Sequence, residues 1–130
     1  MSPVRRVALS VLLAVLSGSS AFAKDIGVPE ICKATIAKVM GRDPRIIRTD
    51  TQESGIYYLS YVRDDGTLWS YRCRLEGNQV IWASDKGRWR THPDDETLTY
   101  RLSQDRRSLT ISEKFSDGSS TEASFKAADF

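Results

Sequence analysis

The chain has a single histidine, and it lies in a short polar segment that also holds carboxylates. Asp94 and Glu96 follow His92 within four positions. A histidine beside a carboxylate can perform general acid–base catalysis, so one interpretation of His92, Asp94 and Glu96 is the catalytic site of a small secreted hydrolase. The other is a solvated loop around Pro93, which the run of polar residues favours. We favour the loop and keep hydrolysis as the alternative function, with enzyme activity undecided.

Arginine and tryptophan alternate at positions 88–90. Arg88, Trp89 and Arg90 could stack on sugars or bases, or bind phosphate, because guanidinium groups and indole rings do both. Period-two alternation offers a plainer interpretation, in which Trp89 enters the core between two solvated arginines. We keep the three residues as a second candidate binding surface.

Cys32 and Cys73 are the two cysteines of the chain. They form no C-x-x-C motif, which argues against a redox role, and with one distant histidine they are too few for a structural zinc site. An even number of cysteines in an exported protein indicates a disulfide. The loop of about 40 residues that it would close corresponds to about 4 kcal/mol of stabilisation in the chain-entropy model. We predict a Cys32–Cys73 disulfide and neither a metal nor another cofactor.

The amino-terminal segment indicates export. Arg5 and Arg6 precede an apolar run, and a small-residue cleavage site ends at Ala23, so residues 1–23 are predicted to be a cleaved signal peptide. The apolar run is about ten residues long and a spanning helix needs roughly 20, so we expect no permanent membrane anchor. Cleavage removes two of the 19 basic residues and none of the 17 acidic ones, which leaves residues 24–130 without formal net charge. Nucleic acid is therefore not an expected partner, and the expected location is the periplasm or the exterior.

One helix is predicted in the remaining single domain, over residues 29–40. Pro29 suits a first helical turn, Cys32 and Ile36 share an apolar face, and Gly41 followed by Pro44 ends the helix. Everything after Pro44 is typical of strands separated by short turns. The segments predicted as extended are 45–50, 55–63, 67–75, 79–84, 88–90, 97–103, 108–115 and 120–127. The expected fold is α+β, with the helix packed on a curved antiparallel β-meander of about six strands; a small closed β-barrel with one helix is the alternative.

The turns predict a strand register. A type I turn with a glycine bulge at residues 64–66 pairs Tyr57 with Cys73 and Leu59 with Tyr71, and a two-residue turn at 77–78 places Trp82 beside Cys73. The face expected to form the core then carries Tyr57, Leu59, Tyr61, Trp69, Tyr71, Cys73, Leu75, Val80 and Trp82. Cys73 points toward the helix on this face, so the disulfide is expected to tie the helix to the sheet.

The opposite face of the same strands brings tyrosine and arginine together. Tyr58, Arg72 and Arg74 could bind a protein partner, since both residue types are enriched at interface hot spots, or an anionic glycan or lipid headgroup. The arginine stems could instead cover apolar neighbours. Glu113 falls on the apolar side of its strand, where we expect an ion pair with an arginine such as Arg101.

These observations predict an exported, non-catalytic binding module or accessory factor of the cell envelope. Its partner is expected to be a protein or an envelope component. The residues predicted to bind it are Tyr58, Arg72 and Arg74, followed by Arg88, Trp89 and Arg90. Nothing in the sequence indicates an oligomeric state.

Overall fold

The computed structural model describes residues 24–130, and the predicted signal peptide lies outside the described residues. Within these residues the first elements are helix α1 (Val28–Met40) and a short 3-10 turn (Pro44–Ile46). Seven strands follow: β1 (Arg48–Glu53), β2 (Ile56–Val62), β3 (Leu68–Glu76), β4 (Gln79–Ser84), β5 (Thr97–Leu102), β6 (Ser108–Lys114) and β7 (Ser120–Lys126). A second 3-10 turn (Ala127–Asp129) ends the chain. Within residues 24–130 no helix is both long enough and apolar enough to cross a membrane.

A side-chain hydrogen bond marks the start of helix α1 and a left-handed glycine marks its end. The Glu30 carboxylate accepts the Gly27 N–H at 3.0 Å, which satisfies one of the amides that a helix start leaves free. Gly41 takes up a left-handed conformation (φ 65°) that glycine tolerates best, and its N–H bonds back to the last turn. The buried face carries Ile31, Cys32, Ala34, Thr35, Ile36 and Ala37.

The predicted register of β2, β3 and β4 is confirmed. Tyr57 pairs with Cys73, Leu59 with Tyr71, and Cys73 with Trp82. The turn between β2 and β3 is closed by hydrogen bonds between Arg63 and Thr67 and from the Gly66 N–H to the Arg63 carbonyl, with Gly66 at φ 85°. A one-residue slip would have turned every side chain of β2 to the other face, so this turn decides which residues form the core.

The predicted disulfide is present. Cys32 of α1 and Cys73 of β3 are bonded, with their Cα atoms 5.9 Å apart. Both cysteines are fully buried among the core side chains. The bond ties the only α-helix of the described residues to the middle of the β1–β4 part of the sheet.

The predicted α+β fold, a helix packed on an antiparallel meander, is confirmed. The sheet has seven strands instead of about six, in the order β1 to β7, and it is open, so only the closed-barrel alternative is wrong. The first strand starts at Arg48, later than expected, because the Asp43 carboxylate accepts the Arg45 N–H and stabilises the 3-10 turn at Pro44. Residues 88–90 are not a strand but part of the long segment 85–96 between β4 and β5.

The meander is weakly joined between β4 and β5. These strands pair at Gln79–Thr99 and Val80–Leu98 and then separate. Beyond that point the Trp82 carbonyl accepts the N–H of Arg90 at 2.9 Å, so segment 85–96 replaces β5 as the neighbour of β4. The separation leaves room at this end of the sheet for the cleft described below.

Glu113 pairs with a helix residue and not with Arg101, so that expectation is wrong. Its carboxylate lies 3.3 Å from the Lys38 ammonium group, and the two side chains are 12% and 10% exposed. Lys38 also donates to the Thr121 hydroxyl at 2.7 Å. Helix α1 sits across the inner face of the sheet, so it offers a cation to the apolar side of β6, whereas Arg101 alternates to the other face. This pair ties α1 to the β5–β7 part of the sheet.

Candidate functional site

The inner face of the sheet carries a row of stacked aromatic rings, which we call the aromatic ladder: Tyr61, Tyr71 and Trp82. Tyr61 and Tyr71 are stacked with centroids 5.9 Å apart, and Trp82 lies tilted against Tyr71 at 6.1 Å. A guanidinium group covers each end, Arg42 over Tyr61 at 5.5 Å and Arg90 over Trp82 at 5.3 Å. Ring stacking and cation–π contacts fix the positions of all three rings.

The ladder is uncharged and its polar atoms are used internally. The hydroxyls of Tyr61 and Tyr71 share a hydrogen bond at 3.4 Å. Burial, together with the neighbouring Tyr61 hydroxyl, raises the pKa of Tyr71 well above its ordinary value, so the phenol stays protonated. The Trp82 indole donates to Glu96 at 3.3 Å. The ladder therefore presents ring faces, and not free hydrogen-bonding groups, to its surroundings.

A cleft opens beside the ladder where α1 ends. Its volume is about 340 Å³, at the small end of the range for ligand pockets. Its lining consists of Met40, Trp69, Ser70, Tyr71, Trp82, Ser84, Gly87, Arg88 and Arg90. Trp69 continues the inner face beyond the helix and is 42% exposed. Arg63 stacks on its ring at 4.7 Å, and its indole donates to the Thr67 hydroxyl at 3.1 Å.

Ion pairs hold segment 85–96 over this cleft. Arg88 donates twice to the Asp95 carboxylate, at 2.7 and 2.9 Å, and Arg90 contacts both Asp95 and Glu96, at 3.3 and 3.0 Å. The Arg88 hydrogen bond holds the pKa of Asp95 well below its usual range; burial opposes the shift, and the His92 N–H and the charge of Arg90 add to it. Asp95 is thus a charged anchor that fixes both arginines.

Trp89 lies on the outer face of the sheet, opposite the cleft that Arg88 and Arg90 line. Its ring covers the guanidinium groups of Arg72 and Arg74 at 4.6 and 4.3 Å. Arg72 donates to the Ser84 and Gly87 carbonyls, and Arg74 pairs with Glu76 at 3.1 Å. Trp89 is half-buried and is not a core residue. The interpretation that placed Trp89 in the core is therefore wrong, and of the two arginines expected to be solvated, Arg88 is exposed and Arg90 half-buried, although both pair with acids.

The residues predicted to bind a partner therefore fall into two clusters. Tyr58 lies opposite Arg72 in the sheet, and with Arg74 and Trp89 these residues form what we call the outer cluster. All four are half-buried, and Trp89 partly covers the two arginines. Arg88 and Arg90 belong to the cleft on the inner face.

The structure does not assemble the histidine and both carboxylates into one catalytic group. His92 lies 3.6 Å from Asp94, and the two side chains are 61% and 88% exposed. The imidazole Nδ1 accepts the Asp94 N–H at 3.1 Å, as expected in a tight polar turn. Glu96 instead accepts from Trp82 and Arg90. Among residues 24–130 no group of three or more His, Cys, Asp or Glu side chains is arranged to hold a metal ion.

Sequence reasoning placed Trp69, Tyr71 and Trp82 on the core face and did not predict the cleft. The missing information was where the helix ends relative to the strands. Cys32 to Met40 spans about 12 Å of helix, and Cys73 to Trp69 spans about 13 Å of strand. A disulfide between Cys32 and Cys73 therefore allows the helix to end near Trp69, and this comparison could have indicated an uncovered indole.

Comparison with known proteins gives no further guide to the site. No family model, curated protein or solved structure matches this chain.

Proposed function

We propose that this chain is an exported, non-catalytic binding module that recognises a protein of the cell envelope through the cleft. The observation that carries the proposal is Trp69, a rigidly held indole left 42% exposed at the mouth of an aromatic cleft beside Arg88. Tryptophan and arginine dominate the energetics of protein interfaces, particularly where their conformation is fixed before binding.

The turn between β2 and β3 extends this surface. Val62 and Leu68, which pair at the end of the hairpin, are 54% and 59% exposed. Together with Trp69 they form what we call the hairpin tip, three apolar side chains distributed over both faces of the β2–β3 hairpin. Exposed apolar groups of this kind typically mark interaction sites. A partner that covers the hairpin tip would bury all three side chains and reach the cleft.

Export to the periplasm or the exterior is part of the proposal. The disulfide supports it, because such bonds form and persist in oxidising compartments. The signal-like segment at residues 1–23 supports it independently. A hydrolase is less well supported, since Glu96 is occupied by Trp82 and Arg90 and the His92–Asp94 pair is open to solvent.

The test is retention of envelope proteins by immobilised wild-type protein and by two double variants, all expressed from the full chain and oxidised. The cleft variant carries Trp69→Ala and Arg88→Gln; the outer-cluster variant carries Arg72→Ala and Arg74→Ala. We expect one protein to be retained at high salt by the wild type and the outer-cluster variant and lost by the cleft variant. Thermal denaturation verifies that all three forms fold.

Two results would overturn the proposal. Loss of the partner by the outer-cluster variant, with retention by the cleft variant, would assign binding to Tyr58, Arg72 and Arg74 instead. Failure of any protein to be retained would reject a protein-binding function.

A further inference from the structure

The charged groups that line the cleft are hydrogen-bond donors. Arg88 and Arg90 are donors only, the Ser70 and Ser84 hydroxyls can donate or accept, and no carboxylate is among the lining residues. The two indole N–H groups are already bonded, to Thr67 and Glu96. Trp69, 42% exposed, therefore offers the ring surface that Arg63 leaves uncovered, whereas Trp82 is only 7% exposed. A group that fits this lining must accept hydrogen bonds at one point and be apolar over the rest.

Arg88 keeps one pair of donors available. Its two terminal nitrogens bond to the two oxygens of Asp95, and one of them also donates to the Trp89 carbonyl at 3.3 Å. Its Nε donates to no residue within 24–130. A guanidinium group has five N–H donors, so the edge formed by Nε and the adjacent terminal nitrogen can bind a second carboxylate side-on. The Arg88 side chain is 61% exposed, so this edge is within reach of a partner.

Arg88 is also fixed in advance. Asp95 is itself buried, accepts the His92 N–H at 2.9 Å and contacts Arg90. The carboxylate that binds Arg88 is therefore itself held in place. A guanidinium group that is already ordered loses little side-chain entropy on binding. Asp95 therefore plays the role of a positioning residue for Arg88.

We propose that the cleft receives a glutamate or aspartate side chain of the protein partner, next to an aromatic or aliphatic residue that stacks on Trp69. The carboxylate binds the free edge of Arg88, and the apolar residue fills the space over the ladder. This inference rests on the proposed function and names the chemistry of the segment recognised.

A neutral sugar fits the same space less well. Its hydroxyl groups need acceptors as well as donors, and two of the acceptors nearby are engaged, the Gly87 carbonyl by Arg72 and the Glu96 carboxylate by Arg90 and Trp82, which leaves mainly the Ser70 and Ser84 hydroxyls. A small ligand would also leave Val62 and Leu68 uncovered, whereas a protein segment can continue across the hairpin tip. The observations thus favour an acidic peptide segment.

Three peptides test the inference: acetyl-Phe-Glu-amide, acetyl-Phe-Gln-amide and acetyl-Phe-Lys-amide, with free glucuronic acid as a fourth probe. Binding is followed by NMR through the indole N–H signals of the three tryptophans. We expect the glutamate peptide to shift Trp69 and Trp82 but not Trp89, and to bind about tenfold more tightly than the glutamine peptide, the effect of one charge-assisted contact. In Arg88→Gln the two peptides should bind equally.

Two further variants, Arg88→Lys and Trp69→Ala, test the inference if Arg88→Gln disturbs segment 85–96. Arg88→Lys keeps the charge but removes the second edge, so the preference for glutamate should fall; Trp69→Ala should weaken both peptides equally. Three results would each overturn the inference. The wild type could bind the glutamate and glutamine peptides equally, the shifts could centre on Trp89, or glucuronic acid could bind as tightly as the glutamate peptide. Partner capture that succeeds while the peptides show no preference rejects this inference alone. A preference for the glutamate peptide without capture of any protein rejects the proposed function and the protein partner, and leaves only the acidic–apolar binding chemistry of the cleft.

Discussion

Asp95 is the residue on which the arrangement of segment 85–96 depends most. Its carboxylate accepts from Arg88, Arg90 and the His92 N–H, so one side chain fixes the two arginines of the cleft and the backbone beside it. These donors hold the Asp95 pKa well below its ordinary value of 3.8. A depressed pKa in the folded state stabilises the fold above pH 3.8 and ceases to do so as the pH falls through the folded-state value.

Asp95→Asn should therefore lower the melting temperature by several degrees at pH 7, and the difference from the wild type should shrink toward pH 2. Measurement of the melting temperature between pH 2 and 8 checks the prediction. Asp94→Asn is the matched control, because the Asp94 side chain is 88% exposed and contacts only His92 at 3.6 Å. A difference that is constant over this pH range would contradict the role assigned to the Asp95 charge.

At the scale of the elements, local turn chemistry was sufficient to predict the register of the hairpins. Gly66 and the 77–78 turn fixed which residues of β2, β3 and β4 face the helix, and this register agrees with the disulfide that the cysteine count predicts independently. Segment 85–96 could not be predicted in the same way. Its course depends on ion pairs from Arg88 and Arg90 to Asp95. Ion pairs leave no periodic pattern in the sequence, and these lie where β4 and β5 no longer pair.

The disulfide is expected to carry much of the stability of the helix–sheet contact. Replacing both cysteines, Cys32→Ala with Cys73→Ala, should reduce the free energy of unfolding by about 4 kcal/mol, mainly because the unfolded chain gains freedom. Urea denaturation of the oxidised wild type and the double variant measures the change. Reduced wild-type protein is the control and should unfold close to the double variant. Equal midpoints for the oxidised and reduced wild type would show that the bond stabilises little.

Residues 24–130 share one core, but the sheet has two unequal parts, β1–β4 and β5–β7, and helix α1 packs on both. In the first part β3 pairs with β4 from Tyr71–Ser84 to Glu76–Gln79, and the disulfide fixes α1 to β3. The second part, β5–β7, has only two residue pairs with β4, and its other links to the first part include the Lys38 contacts with Glu113 and Thr121 and the packing of Leu98, Leu109 and Ile111 into the common core. The cleft lies where these parts separate, so its shape depends on the more strongly joined part, which holds Trp69, Tyr71 and Trp82.

This asymmetry predicts that the β5–β7 part opens before the rest of the molecule. In native-state hydrogen exchange the amides of β6 should lose protection at lower urea concentration than those of β2 and β3, because only two residue pairs join β5–β7 to β4 and the disulfide lies in the other part. Glu113→Gln leaves the buried Lys38 ammonium group without its anion and should speed exchange in β6 and β7 while leaving β2 and β3 unchanged. Loss of protection in all strands at one urea concentration would instead show that the sheet unfolds as a single unit, and that α1 couples the two parts more tightly than the β4–β5 junction suggests.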